Sequence, residues 1–111
     1  MAVTVKTLIP AKEAENTQTT QYTAVNCRAI IDKFTATNTT ASNVTISVNL
    51  VSALGTPGDD NLIVDTRAIA PNETYTFPEL VGQVLDSSNF ISTIASAANA
   101  LTIRASGREI V

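Results

Sequence analysis

The sequence contains no histidine and no tryptophan, and its single cysteine is Cys27. Without histidine, the chain cannot form a Ser-His-Asp triad, and no zinc site with ordinary ligand spacing can be drawn. One cysteine excludes an intrachain disulfide, and we interpret Cys27 as a small buried or half-buried thiol rather than a reactive group. Neither a phosphate loop nor a Gly-x-Ser-x-Gly elbow occurs. These absences predict a protein that is not an enzyme and has no cofactor and no metal site built on histidine or cysteine.

Basic residues are few, and they form no run. Seven basic residues stand against ten acidic ones, so the formal net charge is −3. The balance argues against nucleic acid as a partner, and no basic amphipathic stretch suggests a membrane surface. The first residues lack the apolar core of a signal peptide, and no apolar run reaches the roughly 18 residues of a membrane span. We therefore expect synthesis in the cytoplasm.

The chain is rich instead in short polar and β-branched residues. Threonine, serine and asparagine supply 34 of its 111 residues. Threonine and valine suit a half-buried strand, whereas asparagine and serine suit the turns between strands. The composition predicts an all-β fold.

Alternation of apolar and polar residues predicts the strands. Residues 3–9 form a first strand that Pro10 ends, and the polar residues 11–21 form a connection or a flexible arm. In 29–51, Ile30 and Phe34 share one strand face. After the turn 38–43, Val44, Ile46, Val48 and Leu50 share a face of a second strand, and the two strands form an antiparallel hairpin.

Further strands are expected in 62–70, 74–77, 90–95 and 101–105, whereas 80–85 fits either a helical turn or a strand. About seven or eight short strands, separated by turn signals, predict a single antiparallel β-sandwich over residues 1–111. Its topology is either jelly-roll or immunoglobulin-like. Gly107 is expected to mark a bend or a bulge.

Three side chains are candidate interface residues. Arg104 and Arg108 are four positions apart in an extended segment and can share one face, where arginine favours contact with a partner. The alternative is two solvated surface charges. Tyr22 is either an anchor on a partner or part of the core. Asp59 and Asp60, with Asn61, are interpreted as a solvated turn, and calcium binding is the alternative.

The stretches 27–40 and 66–111 resemble small virion proteins encoded in the structural gene clusters of tailed bacteriophages and prophages. The resemblance covers nearly the whole chain from about Thr7 onward. The residues that carry it are Ile30, Ile31, Phe34, Thr35, Asn38, Leu50, Pro71, Glu73, Tyr75, Glu79, Leu80, Gly82, Leu85, Ile91, Ser92, Ala95, Leu101, Gly107 and Glu109. Asn72 stands where a glycine is expected in the Pro-x-Glu turn, and asparagine tolerates such a turn.

The resemblance implies a non-enzymatic, multi-copy component of the phage particle, made in the cytoplasm of the host bacterium. It would decorate the head surface or belong to the collar or neck at the head–tail junction. The implied partners are further copies of the chain and other phage structural proteins, either the major capsid protein or the portal and neck proteins. The alternative is a carbohydrate- or receptor-binding β-module of a tail fibre, against which the lack of tryptophan counts.

Overall fold

The computed structural model describes residues 2–111, which form nine β-strands and one short 3₁₀ turn. The strands are β1 (Val3–Glu13), β2 (Thr19–Thr23), β3 (Arg28–Asn38), β4 (Val44–Val51), β5 (Leu62–Ile69), β6 (Thr74–Thr76), β7 (Val84–Leu85), β8 (Phe90–Ala95) and β9 (Leu101–Ile110), and the 3₁₀ turn is Asp59–Asn61. Within the described residues, no helix has the length and apolarity that crossing a membrane requires.

Two antiparallel sheets pack on each other, so the predicted β-sandwich is confirmed. Sheet I has the order β1-β9-β3-β6, with the short β7 also paired to β3, and sheet II has the order β2-β8-β4-β5. The pairs β4–β5, β3–β6, β2–β8 and β1–β9 nest inside one another along the chain, as if one long hairpin had been rolled up. This is the jelly-roll arrangement rather than the immunoglobulin-like one.

The predicted hairpin between β3 and β4 is wrong, because the two strands lie in different sheets. The turn between them crosses from sheet I to sheet II, and the buried side chain of Asn38 fixes the crossing. Its Nδ2 donates to Ser42 O at 2.8 Å and to Ile69 O at 2.9 Å, while its Oδ1 accepts from Thr40 N at 2.9 Å. The alternation predicted for β4 is present from Val44 to Val48, but it carries no information about which strand is the partner.

A β-bulge changes the face assignment in β3. The sequence pattern placed Ile30 beside Phe34 on one face, yet Ile31 is fully buried and Ile30 only half-buried. Asp32 is an extra residue between Ile31 and Lys33 in the pairing with β9, so the pattern shifts by one position there. The bend or bulge that the sequence predicted at Gly107 is therefore found in β3, on the strand that pairs with Gly107.

The first strand does not end at Pro10, as the sequence predicted, but continues to Glu13. Pro10 falls in an irregular part of the pairing, between the paired residues Ile9 and Lys12. Proline has no backbone N–H to donate. Because β1 is an edge strand, the lack of this donor at Pro10 removes no hydrogen bond from the middle of the sheet.

The prediction of one polar connection over 11–21 is also wrong at both ends, because 11–13 belong to β1 and 19–21 to β2. The link is therefore only residues 14–18. It is attached to both sheets, because Ala14 N donates to Leu101 O at 2.8 Å and Gln18 Nε2 donates to Ser92 Oγ at 2.8 Å.

The core lies between the sheets and combines small aliphatic side chains with a few aromatic rings. Phe34 and Phe77 meet edge to face with ring centroids 5.2 Å apart, and Tyr75 meets Phe77 in the same way at 4.8 Å. Edge-to-face contact is the favoured geometry of aromatic pairs. Cys27 is a buried free thiol, as expected.

Candidate interaction surface

Strand β9 places Arg104 and Arg108 on the outer face of sheet I, the side that points away from the core. Their neighbours Ile103 and Ala105 are buried, and side chains alternate along a strand, so the two arginines point outward together. The expectation that they share a face is confirmed. Their role in an interface stays a prediction.

The guanidinium of Arg108 is held by Asp32 from the neighbouring strand. Arg108 Nη2 lies 2.8 Å from Asp32 Oδ1, and Nε lies 3.0 Å from Oδ2, which makes a two-point contact. Hydrogen bonding from Arg108 holds the pKa of Asp32 below its usual range. Both side chains remain partly exposed, so the pair orients Arg108 rather than supplying much stability.

Apolar side chains surround this ion pair. Val5, Arg108, Ile30 and Val84 are successive cross-strand partners from β1 to β7, so they form one row across the outer face. Val5 is 83% exposed and Val84 is 51% exposed. An apolar row around an oriented arginine is typical of the centre of a protein–protein contact.

Farther along the same face, Arg104 has no carboxylate partner. Its Nη2 lies 3.4 Å from Thr7 Oγ1, and Arg104 pairs across the ladder with Thr35. Lys33 lies one row away, and together with Ser106 these residues line an open concavity of about 240 Å³. Within residues 2–111, Lys33 and Arg104 form no ion pair, whereas Lys6, Lys12, Arg28 and Arg108 each form one. The concavity therefore presents two uncompensated positive charges.

Tyr22 lies apart from the two arginines. Its half-buried ring packs against the core, and its hydroxyl donates a hydrogen bond to Glu109 of the other sheet. Burial and this hydrogen bond both raise the pKa of the Tyr22 phenol. The same bond, together with Lys6 at 3.4 Å, lowers the pKa of the Glu109 carboxyl. Of the two interpretations of Tyr22, the contacts agree with the core one, in which it ties the sheets together.

Negative charge is concentrated at the opposite side of the sandwich. Asp59 and Asp60 are exposed in the 3₁₀ turn that leads into β5, and Asp65 is exposed within β5, the edge strand of sheet II. We call these three residues the acidic edge. In the part of the chain that the structure describes, no three histidine, cysteine, aspartate or glutamate side chains come together as metal ligands.

Asp65 and Thr66 lie in a bulge of β5. β5 is irregular between the partners of Ile46 and Val48, and Thr66 has a positive φ of 53°. Ser47 Oγ, rather than a ladder carbonyl, accepts the hydrogen bond of Thr66 N at 2.9 Å. An edge strand with a bulge and a charge resists pairing with another strand through its backbone.

The two sides of the molecule therefore differ in net charge. Strands β1, β3 and β9 of sheet I carry six basic and three acidic residues, a net +3, whereas the 3₁₀ turn and β5 at the edge of sheet II, residues 59–69, carry three acidic residues and one basic residue, a net −2. The sequence interpretation missed this separation because the basic residues are scattered along the chain. The signal was present only as acidic enrichment of one segment, and strand order was needed to show that the basic segments are neighbours.

The aromatic side chains are largely occupied by internal contacts. Arg67 lies over the ring of Tyr75, with the guanidinium carbon 3.9 Å from the ring centroid, and Phe34 and Phe77 are fully buried. Asn72 has φ of 62°, which agrees with the expectation that its turn suits glycine or asparagine.

No protein-family model matches the chain, and no curated protein matches it by sequence. Among solved structures, the chain is similar to a chain in the structure of infectious bursal disease virus, Gx strain. The TM-score is 0.53 at 11% identity, over 98% of this chain and 32% of the viral chain. This chain thus spans about a third of the length of the chain that it matches. At this identity, the likeness shows a shared fold.

Proposed function

We propose that this jelly roll is a non-enzymatic structural protein of a virus particle, where it docks in multiple copies. The observation that carries the proposal is the outer face of sheet I, which combines an exposed apolar row with uncompensated positive charge. The likeness of the fold to a chain of a virus structure supports the same role. Jelly rolls build many viral shells, and a lattice of repeated subunits multiplies weak individual contacts.

More specifically, we propose an accessory protein of a tailed-phage particle, either a decoration protein on the head surface or a collar or neck protein at the head–tail junction. The support is the sequence resemblance, and many of the residues that carry it maintain this fold. Asn38 fixes the crossing between the sheets, Glu73 Oε1 accepts from Ala70 N at 2.7 Å in the turn before β6, and Glu109 bonds Tyr22 across the sandwich. The partners would be the major capsid protein or the portal and neck proteins.

The test is immunogold labelling of intact particles from the phage or prophage that carries the gene, viewed by electron microscopy. Particles from which the gene has been deleted serve as the control for antibody specificity. Gold over the whole head supports a decoration protein, and gold at one vertex supports a collar or neck protein. Chain present in the lysate but absent from particles would refute the virion role.

The carbohydrate-binding alternative is tested separately on a glycan array, with and without calcium. Such a module needs an aromatic ring exposed to a sugar, whereas here Tyr22 and Tyr75 are engaged with Glu109 and Arg67. Saturable, calcium-dependent binding that a change of Asp59 and Asp60 to asparagine abolishes would favour the alternative.

A further inference from the structure

We propose that copies of this chain associate head to tail, with the outer face of sheet I of one copy docking on the acidic edge of the next. The inference names the surfaces for the multi-copy docking proposed above, and it rests on that function for its biological setting. On the basic side, the contact would use Lys33 and Arg104, and on the acidic side it would use Asp59, Asp60 and Asp65.

Charge complementarity indicates that the partner of the sheet I face is a second copy of this chain. Lys33 and Arg104 are exposed and form no ion pair within the described residues, while Asp59, Asp60 and Asp65 are likewise exposed and outside every ion pair found there. Opposite fields on two sides of one molecule attract copies to each other and set their orientation. The same chain therefore supplies both halves of the contact.

A symmetric contact of two identical faces is disfavoured by the same charges. Sheet I against sheet I would bring two copies of Lys33 and Arg104 together, and acidic edge against acidic edge would bring six aspartates together. Like-charge juxtaposition is costly where partners become desolvated. A head-to-tail contact avoids both arrangements, and its repetition gives a ring or an open filament.

The acidic edge is suited to contact through side chains rather than through strand addition. The bulge at Asp65 and Thr66 interrupts the regular backbone ladder that a new strand would need. An open concavity of about 440 Å³ runs along β5, lined by the carboxylates of Asp65 and Glu79 and by Arg67, whose guanidinium is stacked on the ring of Tyr75. The concavity leaves room for the long side chains of Lys33 and Arg104 from a neighbouring copy.

The size of the contact predicts its strength. Three strands spaced about 4.8 Å apart, each about 30 Å long, give a flat face of roughly 30 by 15 Å. This is smaller than the roughly 800 Å² per partner of a standard stable interface. A single contact should therefore be weak, dependent on protein concentration and sensitive to salt.

The experiment is complementary charge reversal, followed by sedimentation velocity over a series of protein concentrations in low-salt buffer. One variant carries Lys33→Glu and Arg104→Glu, and the other carries Asp60→Lys and Asp65→Lys. A control variant carries Lys12→Glu and Arg28→Glu, which change the net charge as much as the first variant does but alter cations that do not line the concavity of Lys33 and Arg104. All these positions are exposed or partly exposed, and circular dichroism confirms that each variant is folded.

The proposal expects the wild-type chain and the control to associate, each charge-reversed variant to stay monomeric alone, and an equal mixture of the two variants to recover association. Added salt should shift the wild-type chain toward monomer. A wild-type chain that stays monomeric at every concentration would overturn the inference. Association of the Asp60→Lys, Asp65→Lys variant at wild-type strength would also overturn it, because a head-to-tail contact on the acidic edge would not survive that change.

Failure here is distinguishable from failure of the proposed function. Immunogold on particles combined with a monomeric chain in solution would leave the virion role standing and remove the head-to-tail contact. Recovery of association by the mixed variants, with no gold on particles, would establish the contact and remove the virion role.

Discussion

Replacing Gly107 by alanine should be strongly destabilising, because β9 passes very close to β3 at this position. A Cβ added to Gly107 would lie 2.0 Å from the carbonyl oxygen of Ile30 and 3.0 Å from Cδ1 of Leu8. Ordinary contact begins near 3.4 Å, so the backbone of β3 would have to retreat by about 1.4 Å. The carbonyl belongs to the backbone rather than to a flexible side-chain end, and it cannot rotate away.

The expected cost combines overpacking with weakened ladder bonds, about 3 kcal/mol of the free energy of unfolding. For a domain of this size, that corresponds to a fall of roughly 10 °C in melting temperature. The matched control is Gly58→Ala, whose Cβ would meet only Asp60 Oδ1 at 3.4 Å, and whose φ of −164° any residue adopts. The control should change stability by less than about 0.5 kcal/mol.

Urea denaturation followed by circular dichroism, together with a thermal melt, measures both variants. If Gly107→Ala melts within about 2 °C of the wild-type chain while remaining folded, the close approach of the two strands is not as described. If Gly58→Ala loses as much stability as Gly107→Ala, the cost comes from the loss of a glycine rather than from the contact with Ile30.

Three further outcomes follow from the hydrogen bonds. Asn38→Ala should lower the free energy of unfolding by about 3 kcal/mol, because the carbonyls of Ser42 and Ile69 lose their amide donor at a buried corner. An unchanged midpoint of urea denaturation would contradict the structural role of Asn38. Tyr22→Phe should lower the free energy of unfolding by about 1–2 kcal/mol at neutral pH, because it removes the hydrogen bond to Glu109. An unchanged free energy of unfolding would show that this bond contributes nothing. The lowered pKa of Glu109 gives stability that is present above the ordinary carboxyl range and is lost as pH falls through the folded-state pKa. Wild-type stability should therefore fall more steeply than that of Tyr22→Phe in acid, and parallel curves would refute the coupling.

The exposed pair of Arg108 and Asp32 shows which features of the surface a sequence pattern predicts and which require the structure. The spacing of four between Arg104 and Arg108 was sufficient to predict a shared face, because alternation in an extended strand is a local property. The partner of Arg108 could not be predicted, because Asp32 reaches it from a strand 76 positions away in the chain. Tyr22 shows the same limit, since its bond to Glu109 joins two strands that are 87 positions apart.

The sequence by itself determined that this protein is a β-sandwich, since the period-two alternation and the turn residues act over a few positions each. Only the tertiary structure decided that β3 and β4 are not a hairpin, that a bulge at Asp32 exchanges Ile30 for Ile31 in the core, and that β1 continues through Pro10. It also decided where charge accumulates. Lys33 is far from Arg104 and Arg108 along the chain, and the three share the outer face of sheet I because β3 pairs with β9. The acidic residues Asp59, Asp60 and Asp65, in contrast, already lie within a single segment. Strand partners are chosen by packing across the whole core, and a local pattern cannot encode that choice.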